Sequence, residues 1–486
     1  MLTPDNLLIG IYLVILLALS VYGFHRSMLV WMYLKNRSNV PQPKRQYAAD
    51  ELPRVTVQLP LFNEMYVAAR LLEAAAAIDY PRDRLQIQVL DDSTDETQRI
   101  CAEKCAELAA TGLDIEYVHR TDRTGFKAGA LANGLGSAKG ELVLIFDADF
   151  LPKPDVLHQM VHFFTDDKVG MVQARWDHVN RDYSLLTEMQ ALMLDGHFVI
   201  EHTARHRAGK FFNFNGTAGI WRRTAIDDAG GWSHDTLTED MDLSYRAQLR
   251  GWQFVYLKDV VTPAELPVEM NSFKSQQFRW AKGSIQVAKK LLPTILRSKV
   301  PLATKLEAFF HLTNNFAYPL LMLLCLMVMP TLLVRGKHGW KEVLLIDLPL
   351  FLGTVVSIAS FYLTSQREIR SDWRRTIRKL PMMMSLGIGL CINQTRAVLE
   401  ALFGGTSGEF VRTPKHGVVK KFEGWTAKRY RAAKTVVPYI EVLFALYFIA
   451  GFCIAAFAGH YVSMPFLGLF FLGFGYVGFL SLHQAR

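Results

Sequence analysis

The sequence predicts an α/β domain with a mostly parallel sheet, joined to a multi-helix transmembrane region. Two observations carry this prediction. Residues 50 to 290 alternate short apolar strands with helical stretches, whereas the rest of the chain is dominated by long apolar runs. At 486 residues the chain also exceeds one ordinary domain. We therefore expect a transmembrane helix and linker over 1–50, the α/β domain over 51–284, and interfacial and transmembrane helices over 285–486.

The net charge of +9 comes largely from two basic clusters, Arg367 to Lys379 and Arg412 to Lys434. Basic chains often bind nucleic acid, but these clusters adjoin hydrophobic segments, as positively charged cytoplasmic loops do. The lipid bilayer is thus an expected partner and nucleic acid is not. Cys101 and Cys105 lie one helical turn apart without a histidine partner, which favours buried helix residues over a metal site.

Five apolar runs are long enough to cross a bilayer. Basic residues follow the first run, so we expect the α/β domain in the cytoplasm, beneath an inner or plasma membrane. The apolar stretch Leu380 to Phe403 carries polar residues and has basic clusters on both sides, so both ends should be cytoplasmic and an interfacial or re-entrant helix is expected. Ile285 to Arg297, with basic residues among apolar ones, is expected to be interfacial too. The five predicted spans are Leu7 to Tyr33, Phe309 to Val334, Val343 to Leu363, Tyr439 to Gly459 and Val462 to Leu482.

Three predicted strands each end in a polar motif: VTVQLPLFNE, IQVLDDSTD and LVLIFDADF. Ligands of such sheets bind at the carboxyl ends of the strands, so these motifs should line one pocket. Pro60, Asn63 and Glu64 end the first strand and are expected there.

The DAD motif follows the apolar strand LVLIF. Residues two apart in an extended segment point the same way, so Asp147 and Asp149 should converge on a divalent cation, Mg²⁺ or Mn²⁺. Such a cation would neutralise a departing diphosphate. A pair of loop aspartates capping the next helix is the structural alternative.

In DDSTD, Asp92 is expected to hold the base or ribose of a nucleotide, while Thr94 or Asp95 suits the start of the next helix. Lys127, in GFKAGALANG, precedes small residues and a helix. That setting suits contact with a phosphate-bearing ligand, although for this signal alone an exposed lysine is the commoner explanation.

The TED motif supplies Glu239 and Asp240, and a carboxylate such as Asp240 can take a proton from a sugar hydroxyl. Alternatively, Glu239 packs against its surroundings or binds the neighbouring loop. In QQFRW, Trp280 offers a face for sugar stacking, Arg279 suits a diphosphate and Gln276 suits acceptor hydroxyls. The structural alternative for TED is an ordinary helix N-terminus. For QQFRW it is an interfacial helix with one tryptophan.

With these four motifs in this order, the segment from Pro53 to Trp280 resembles processive family 2 glycosyltransferases of the cellulose synthase superfamily. FNGTAGIWRR, Phe214 to Arg223, is similar to the mannan and glucomannan synthase-like branch, and we expect its Asn215 and Gly216 near the acceptor. EFVRTPKHG, Glu409 to Gly417, resembles the gating loop of the superfamily, with Arg412, Thr413 and Lys415 as its expected contacts.

The resemblance implies a GT-A fold, a divalent metal, inversion at the anomeric carbon and export of the product through the enzyme's own helices. It implies a nucleotide-sugar donor, UDP-glucose or GDP-mannose, and a growing polysaccharide acceptor. Asp92 would contact the nucleotide, Asp149 would be the main metal ligand with Asp147 near the diphosphate, and Asp240 would be the base.

Two other functions stay open at this stage. A non-processive enzyme that glycosylates a membrane lipid would share the catalytic motifs and the membrane anchorage. A channel or scaffold with an inactive sugar-nucleotide domain would lack some of the carboxylates, and none is missing from the sequence.

Overall fold

The computed structural model describes residues 3–338, 344–404, 412–431 and 435–485. Its α/β domain holds a seven-stranded sheet in the order β3-β2-β1-β4-β6-β5-β7. Only β6 runs antiparallel to its neighbours β4 and β5, so the predicted mostly parallel sheet is confirmed. The strands are β1 Val55–Leu61, β2 Leu85–Asp91, β3 Asp114–His119, β4 Leu142–Ile145, β5 Val169–His178, β6 Gly219–Arg222 and β7 Gln253–Ala264.

Seventeen α-helices are present in the described residues. Those up to the end of the α/β domain are α1 Pro4–Asn36, α2 Ala68–Ala76, α3 Thr97–Ala109, α4 Phe126–Leu135, α5 Val156–Met160, α6 Leu185–Asp195, α7 Thr203–Arg207, α8 Arg223–Asp228, α9 Glu239–Leu249 and α10 Met270–Arg297. Beyond it come α11 Leu302–Thr313, α12 Ala317–His338, α13 Leu344–Ile369, α14 Thr376–Gly389, α15 Cys391–Phe403, α16 Val437–Phe457 and α17 Met464–Gln484.

Apolar residues cover both faces of the sheet, as parallel strands require. One face packs residues of α2, α3 and α5 against β1, β2 and β4, and includes the free cysteines Cys101 and Cys105 of α3. The opposite face packs residues of α4, α8 and α9 around the fully buried Trp221. With both faces covered, the carboxyl ends of the strands are the place where this domain can present polar groups.

Within the described residues, five helices are long and apolar enough to span a membrane, in agreement with the five predicted runs: Pro4–Asn36, Leu302–His338, Ile346–Ile369, Val437–Phe457 and Tyr461–Gln484. The predicted start of the third span, Val343, lies outside the described residues. The stretch Leu380 to Phe403 falls in two helices, α14 and α15, separated at Leu390. α14 packs on α17, and α15 packs on α10 and α12.

Helix α10 is one continuous element that contains both QQFRW and the stretch expected to be interfacial. The domain boundary expected at residue 284 falls inside it. A buried ion pair, Lys274 Nζ to Glu441 Oε1 at 2.6 Å, joins its first turns to α16. Breaking such a pair leaves a buried charge without compensation, so the pair fixes α10 against the last membrane hairpin.

Candidate active site

The carboxyl ends of β1, β2, β4, β5 and β7 border one cleft, which the N-termini of α9 and α10 complete. Every residue predicted for the site except Asn63 lies in the lining of this cleft; Asn63 Oδ1 instead accepts from the Thr94 N–H at 2.8 Å. Asp92, Asp149 and Asp240, which are far apart in sequence, therefore share one space. The predicted residues in the lining are Pro60, Glu64, Asp92, Lys127, Asp147, Asp149, Asn215, Gly216, Glu239, Asp240, Gln276, Arg279, Trp280, Arg412, Thr413 and Lys415.

The two DAD carboxylates each face an ammonium group. Lys127 Nζ lies 2.5 Å from Asp147 Oδ1, and Lys415 Nζ lies 2.5 Å from Asp149 Oδ2. The Asp147 backbone N–H donates to Thr217 Oγ1 at 2.9 Å, which fixes the turn after β4. Asp149 is buried and Asp147 is partly exposed to the cleft. The turn thus presents two negative charges at a point that attracts positive charge.

This donor set suits a hard divalent cation, because carboxylate oxygens are the ligands that Mg²⁺ and Mn²⁺ prefer. The ammonium groups of Lys127 and Lys415 lie beside these carboxylates and balance the negative charge that a bound cation would balance. Across the described ranges, no group of three or more His, Cys, Asp or Glu side chains is arranged to hold a metal ion. A cation bound to the DAD carboxylates would therefore take further ligands from a substrate.

Asp92 is held by a bidentate ion pair that the sequence did not predict. Arg120 Nε donates to Asp92 Oδ1 at 2.8 Å, and Arg120 Nη2 donates to Oδ2 at 2.6 Å. Arg120 directly follows β3, so the rule that polar residues gather at strand ends also applies to it. Asp95 Oδ1 accepts from the Thr97 N–H at 3.0 Å, which confirms Asp95 as a helix-start residue.

The TED carboxylates begin helix α9. Glu239 is its first residue, and Asp240 Oδ1 accepts from the Met241 N–H at 2.8 Å. Burial, together with the neighbouring Glu239 charge, raises the pKa of Asp240 to about 7. Burial also raises the pKa of Glu239. A carboxylate with a pKa near neutrality is a stronger base than an exposed one, and about half of it is ionised at neutral pH.

Two glycines allow these groups to approach one another. Gly216 has φ +81°, and a Cβ there would lie 3.0 Å from Asp240 Oδ2 and 3.3 Å from Lys127 Nζ. A Cβ on Gly283 of α10 would lie 2.4 Å from a Thr238 methyl carbon. Both positions require glycine, since a side chain would push the TED motif away from DAD or α10.

Helix α10 lines the opposite wall of the cleft with Gln276, Arg279 and Trp280. The Trp280 ring lies 6.4 Å from the ring of Trp176, measured between centroids. Trp176 is near the end of β5 and was not predicted for the site. A strand-end tryptophan after an apolar run is the signal that would have found it, and the pair forms an aromatic surface suited to a sugar ring.

Residues 412–416 cover the cleft. Thr413 Oγ1 accepts from Arg279 Nη2 at 2.8 Å, and Arg412 Nη1 lies 3.5 Å from Glu64 Oε2. Burial raises the pKa of Glu64 to about 8. The described part of the predicted gating loop therefore contacts the cleft directly. Its first residues, 409–411, and the end of the second basic cluster, 432–434, lie outside the described residues.

Glu265, directly after β7, supports this covering segment and was not predicted either. Its backbone carbonyl accepts from Lys415 Nζ at 2.8 Å, and its Oε1 accepts from the His416 N–H at 2.9 Å. Arg70 Nη2 lies 3.0 Å from its other carboxylate oxygen. Glu265 is a polar residue at a strand end, the same signal that identified the other motifs.

A second cavity opens from the cleft and extends among the helices beyond the α/β domain. The two spaces share Trp176, Leu194, Asn215, Thr238, Asp240, Gln276 and Trp280. Most of its walls carry amide, hydroxyl and aromatic groups. Helices distant in sequence contribute these groups, so no single motif predicts the cavity. Residues that line only this second cavity include Arg26, His197, His311, Asn314, Asn315, Tyr318, Tyr362 and Gln394.

Comparison with known proteins identifies the family. Residues 53–283 match the sequence profile of "Glycosyltransferase like family 2". The chain is 37% identical over 394 residues to glucomannan 4-beta-mannosyltransferase 2 of Arabidopsis thaliana, which covers 78% of this chain and 71% of that protein. The chain belongs to glycosyltransferase family 2. The predicted resemblance to its cellulose synthase-like, glucomannan synthase branch is thereby confirmed.

Further relatives extend the match of this family 2 glycosyltransferase beyond its α/β domain. Glucomannan 4-beta-mannosyltransferase 1 of Cyamopsis tetragonoloba is 32% identical over 445 residues, covering 88% of this chain and 82% of that protein. The probable glucomannan 4-beta-mannosyltransferase 10 of A. thaliana is 31% identical over 497 residues, covering 97% and 88%.

A solved structure supports the fold. The mannosyltransferase PcManGT of Pyrobaculum calidifontis, determined in complex with GDP-Man and Mn²⁺, is similar with a TM-score of 0.54. It is 23% identical, and the match covers 81% of this chain and 99% of that one. The predicted GT-A architecture of this family 2 glycosyltransferase is thus confirmed.

Proposed function

We propose that this protein is a membrane-embedded, inverting glycosyltransferase that polymerises a β-linked glycan of the mannan or glucomannan type. The single observation that carries the proposal is the junction of the two cavities. A cleft with many charged side chains meets a cavity lined mostly by amide, hydroxyl and aromatic side chains, and Asp240, Trp280 and Asn215 line both. The donor in this proposal is GDP-mannose, because the relatives are named mannosyltransferases and PcManGT was solved with GDP-Man, with UDP-glucose as the second donor to test.

On the donor side, Asp92 and Arg120 form one rigid unit beside the cleft, placed to contact the base or ribose of the nucleotide. Lys127 and Arg279 supply positive charge for the diphosphate. Asp147 and Asp149 would hold Mg²⁺ or Mn²⁺, which neutralises the charge of the leaving diphosphate when it is bound. Pro60 and Glu64 complete this wall of the cleft.

Substitution of the main proposed metal ligand tests this arrangement. Asp149→Asn keeps the size of the side chain and removes its charge. We expect Mn²⁺ affinity, measured by titration in the presence of GDP, to fall by roughly 100-fold or more. Asp155→Asn, at the exposed start of α5, is the matched control and should bind as the wild type does. Unchanged affinity in the Asp149 variant would refute the assignment.

On the acceptor side, Asp240 would take the proton of the attacking hydroxyl as its oxygen bonds to the anomeric carbon. The bond from that carbon to the diphosphate breaks on the opposite face, which inverts the configuration, and the nucleoside diphosphate leaves. Glu239, next to Asp240, raises the basicity of that carboxylate. Trp280, Gln276, Asn215 and Gly216 would hold the acceptor sugar.

The polymer hypothesis depends on where the product goes. The second cavity begins at Asp240 and continues among polar groups of α12, α13 and α15, an environment suited to a hydroxyl-rich chain. This favours a growing polysaccharide acceptor and its export through the protein. A non-processive enzyme acting on a membrane lipid is the competing function.

A product assay decides between them. Purified protein in lipid nanodiscs is incubated with Mn²⁺ and radiolabelled GDP-mannose or UDP-glucose, and the products are separated by size and digested with linkage-specific glycanases. Long, β-mannanase-sensitive chains from GDP-mannose are the expected result. A single lipid-sized product would overturn the polymer proposal while leaving the transferase activity in place.

The proposal extends to topology and to the covering segment. The domains are 1–50, 51–284 and 285–486, with 51–284 on the cytoplasmic side, because basic clusters adjoin that side of the helices. Arg412, Thr413 and Lys415 form a gating loop that closes over the bound donor. In oriented vesicles, protease should reach the 51–284 segment only from the cytoplasmic face.

A further inference from the structure

The side-chain amide of Asn215 is held at both ends by histidines. His197 Nε2 lies 3.1 Å from Asn215 Nδ2, and His202 Nε2 lies 2.6 Å from Asn215 Oδ1. Its backbone N–H donates to Gln173 Oε1 at 3.1 Å. Both histidines belong to a π-helical stretch, Gly196–His202, between α6 and α7. Such stretches are rare and frequently accompany functional sites.

The contacts on the His197 side fix one end of the amide. His197 Nδ1 lies 3.1 Å from Glu201 Oε2, and an ionised carboxylate only accepts hydrogen bonds. His197 therefore carries its proton on Nδ1. In the neutral ring Nε2 is then an acceptor, and the group that faces it must be the NH₂ of Asn215.

The contacts on the His202 side reach the same answer independently. His202 Nε2 lies 3.2 Å from the backbone carbonyl oxygen of Asn213, which is an acceptor. His202 Nε2 therefore carries a proton, and the Asn215 atom that shares it must be the oxygen. The contacts of His197 and those of His202 thus independently select the same orientation of the Asn215 amide.

We propose that His197 and His202 are positioning residues that lock Asn215 so that its second N–H donates to a hydroxyl of the sugar at the junction of the two cavities. Asn215 lines both spaces beside Asp240 and Trp280. A locked amide presents one donor in one direction without losing side-chain entropy on binding. The inference rests on the proposed function, because it names how the acceptor is oriented.

The lock is anchored to the membrane helices. Glu201 pairs with Arg26 of α1 and, at 3.1 Å, with Arg205. Arg205 Nε donates to Glu307 of α11 at 2.9 Å. Every member of this network is largely buried, so losing one partner leaves a costly uncompensated charge. The orientation of Asn215 is therefore set by the packing of the α/β domain against α1 and α11.

Both rings are neutral at physiological pH. Burial lowers the pKa of His202 to about 3, and burial with the nearby cationic side chains holds the pKa of His197 well below its ordinary value. In the neutral His197 ring, Nε2 stays an acceptor for the NH₂ group of Asn215.

The test compares two substitutions at each histidine. His197→Gln and His202→Gln keep a polar group near the Nε2 position, whereas His197→Phe and His202→Phe keep only the size of the ring. We expect the Phe variants to lower kcat at least about tenfold, as for the loss of one positioned hydrogen bond, and the Gln variants to stay within roughly threefold of the wild type. GDP affinity, measured by calorimetry, should be unchanged in all four.

Asn215→Asp adds a test that preserves shape. It replaces the NH₂ with an oxygen that faces the lone pair of His197 Nε2, so it should lower kcat as far as the Phe variants do. Wild-type kcat in Asn215→Asp, or Gln variants as impaired as the Phe variants, would overturn the proposal. A wild-type protein that binds GDP but transfers no sugar would instead overturn the proposed function.

Discussion

The two cavities that meet at Asp240 are built from different chemistry. In the cleft at the carboxyl ends of the strands, the negatively charged Asp147 and Asp149 each face an ammonium group. In the second cavity most of the lining is amide, hydroxyl or aromatic, and apart from the shared Asp240 its charged residues, Arg26 and Glu201, form an ion pair. The difference supports the proposal that the cleft binds a charged diphosphate and the cavity a neutral polyol.

Asp240 belongs to both spaces, and its substitution should separate binding from chemistry. Asp240→Asn keeps the shape and removes the base, so we expect kcat to fall by about 10³-fold, within the usual range for a general base. Donor affinity and oligosaccharide affinity should both stay near wild type. The measurement is initial rate with varied donor, together with GDP calorimetry.

Asp227→Asn is the matched control, because Asp227 is an exposed aspartate on α8. A large loss of GDP affinity in Asp240→Asn would mean that this carboxylate belongs to the charged cleft alone. Wild-type kcat would mean that the base lies elsewhere.

The pH dependence of turnover sharpens the same point. Only the ionised carboxylate accepts a proton, and burial together with Glu239 raises the pKa of Asp240 to about 7. We therefore expect log kcat to be flat above pH 7 and to fall by about one unit per pH unit below it. The profile of kcat at saturating donor measures this. An apparent pKa near that of an exposed aspartate would contradict the role of burial.

The cleft was predictable from sequence, and the cavity was not. Asp92, Asp149 and Asp240 each follow a strand or begin a helix, and parallel topology brings such positions to one edge. Arg120 and Glu265 obey the same rule but stand outside any motif. The cavity depends on how α1, α12, α13 and α15 pack, and their apolar periodicity does not encode which faces meet.

One stretch illustrates why the rest escaped prediction. The apolar stretch Leu380 to Phe403, expected to be interfacial or re-entrant, contains the polar residues Asn393 and Gln394. In the structure Asn393 Nδ2 donates to the Lys274 carbonyl at 2.9 Å, and Gln394 lines the second cavity. The composition identified the residues, but their partners are more than a hundred positions away and become visible only in the packed fold.

Substitution of Trp280 should affect binding of the acceptor and leave binding of the donor unchanged. Trp280→Leu removes the ring that pairs with Trp176, and we expect the KM for an oligosaccharide acceptor to rise about tenfold, the scale of one lost aromatic contact. The KM for the donor should change little. Trp280→Phe retains a ring and serves as the comparison, with a smaller rise. Equal rises in both KM values would contradict the division between the spaces.

The smallest expected effect concerns the cleft alone. Lys415 Nζ lies 2.5 Å from Asp149 Oδ2, so the covering segment places a cation on the proposed metal ligand. A divalent ion arriving without nucleotide must displace that ammonium. Lys415→Gln removes the competitor, and we expect Mn²⁺ to bind several-fold more tightly in the absence of nucleotide, the equivalent of about 1 kcal/mol.

Calorimetric titration with Mn²⁺ alone measures this gain, and Lys421→Gln, an exposed neighbour on the same segment, is the control. With GDP present the gain should shrink, because the diphosphate then supplies ligands and draws Lys415 away from Asp149. If Mn²⁺ affinity without nucleotide were unchanged, the ammonium would not compete for Asp149. The charge balance of the cleft would then be set by the fold rather than by exchange between lysine and metal.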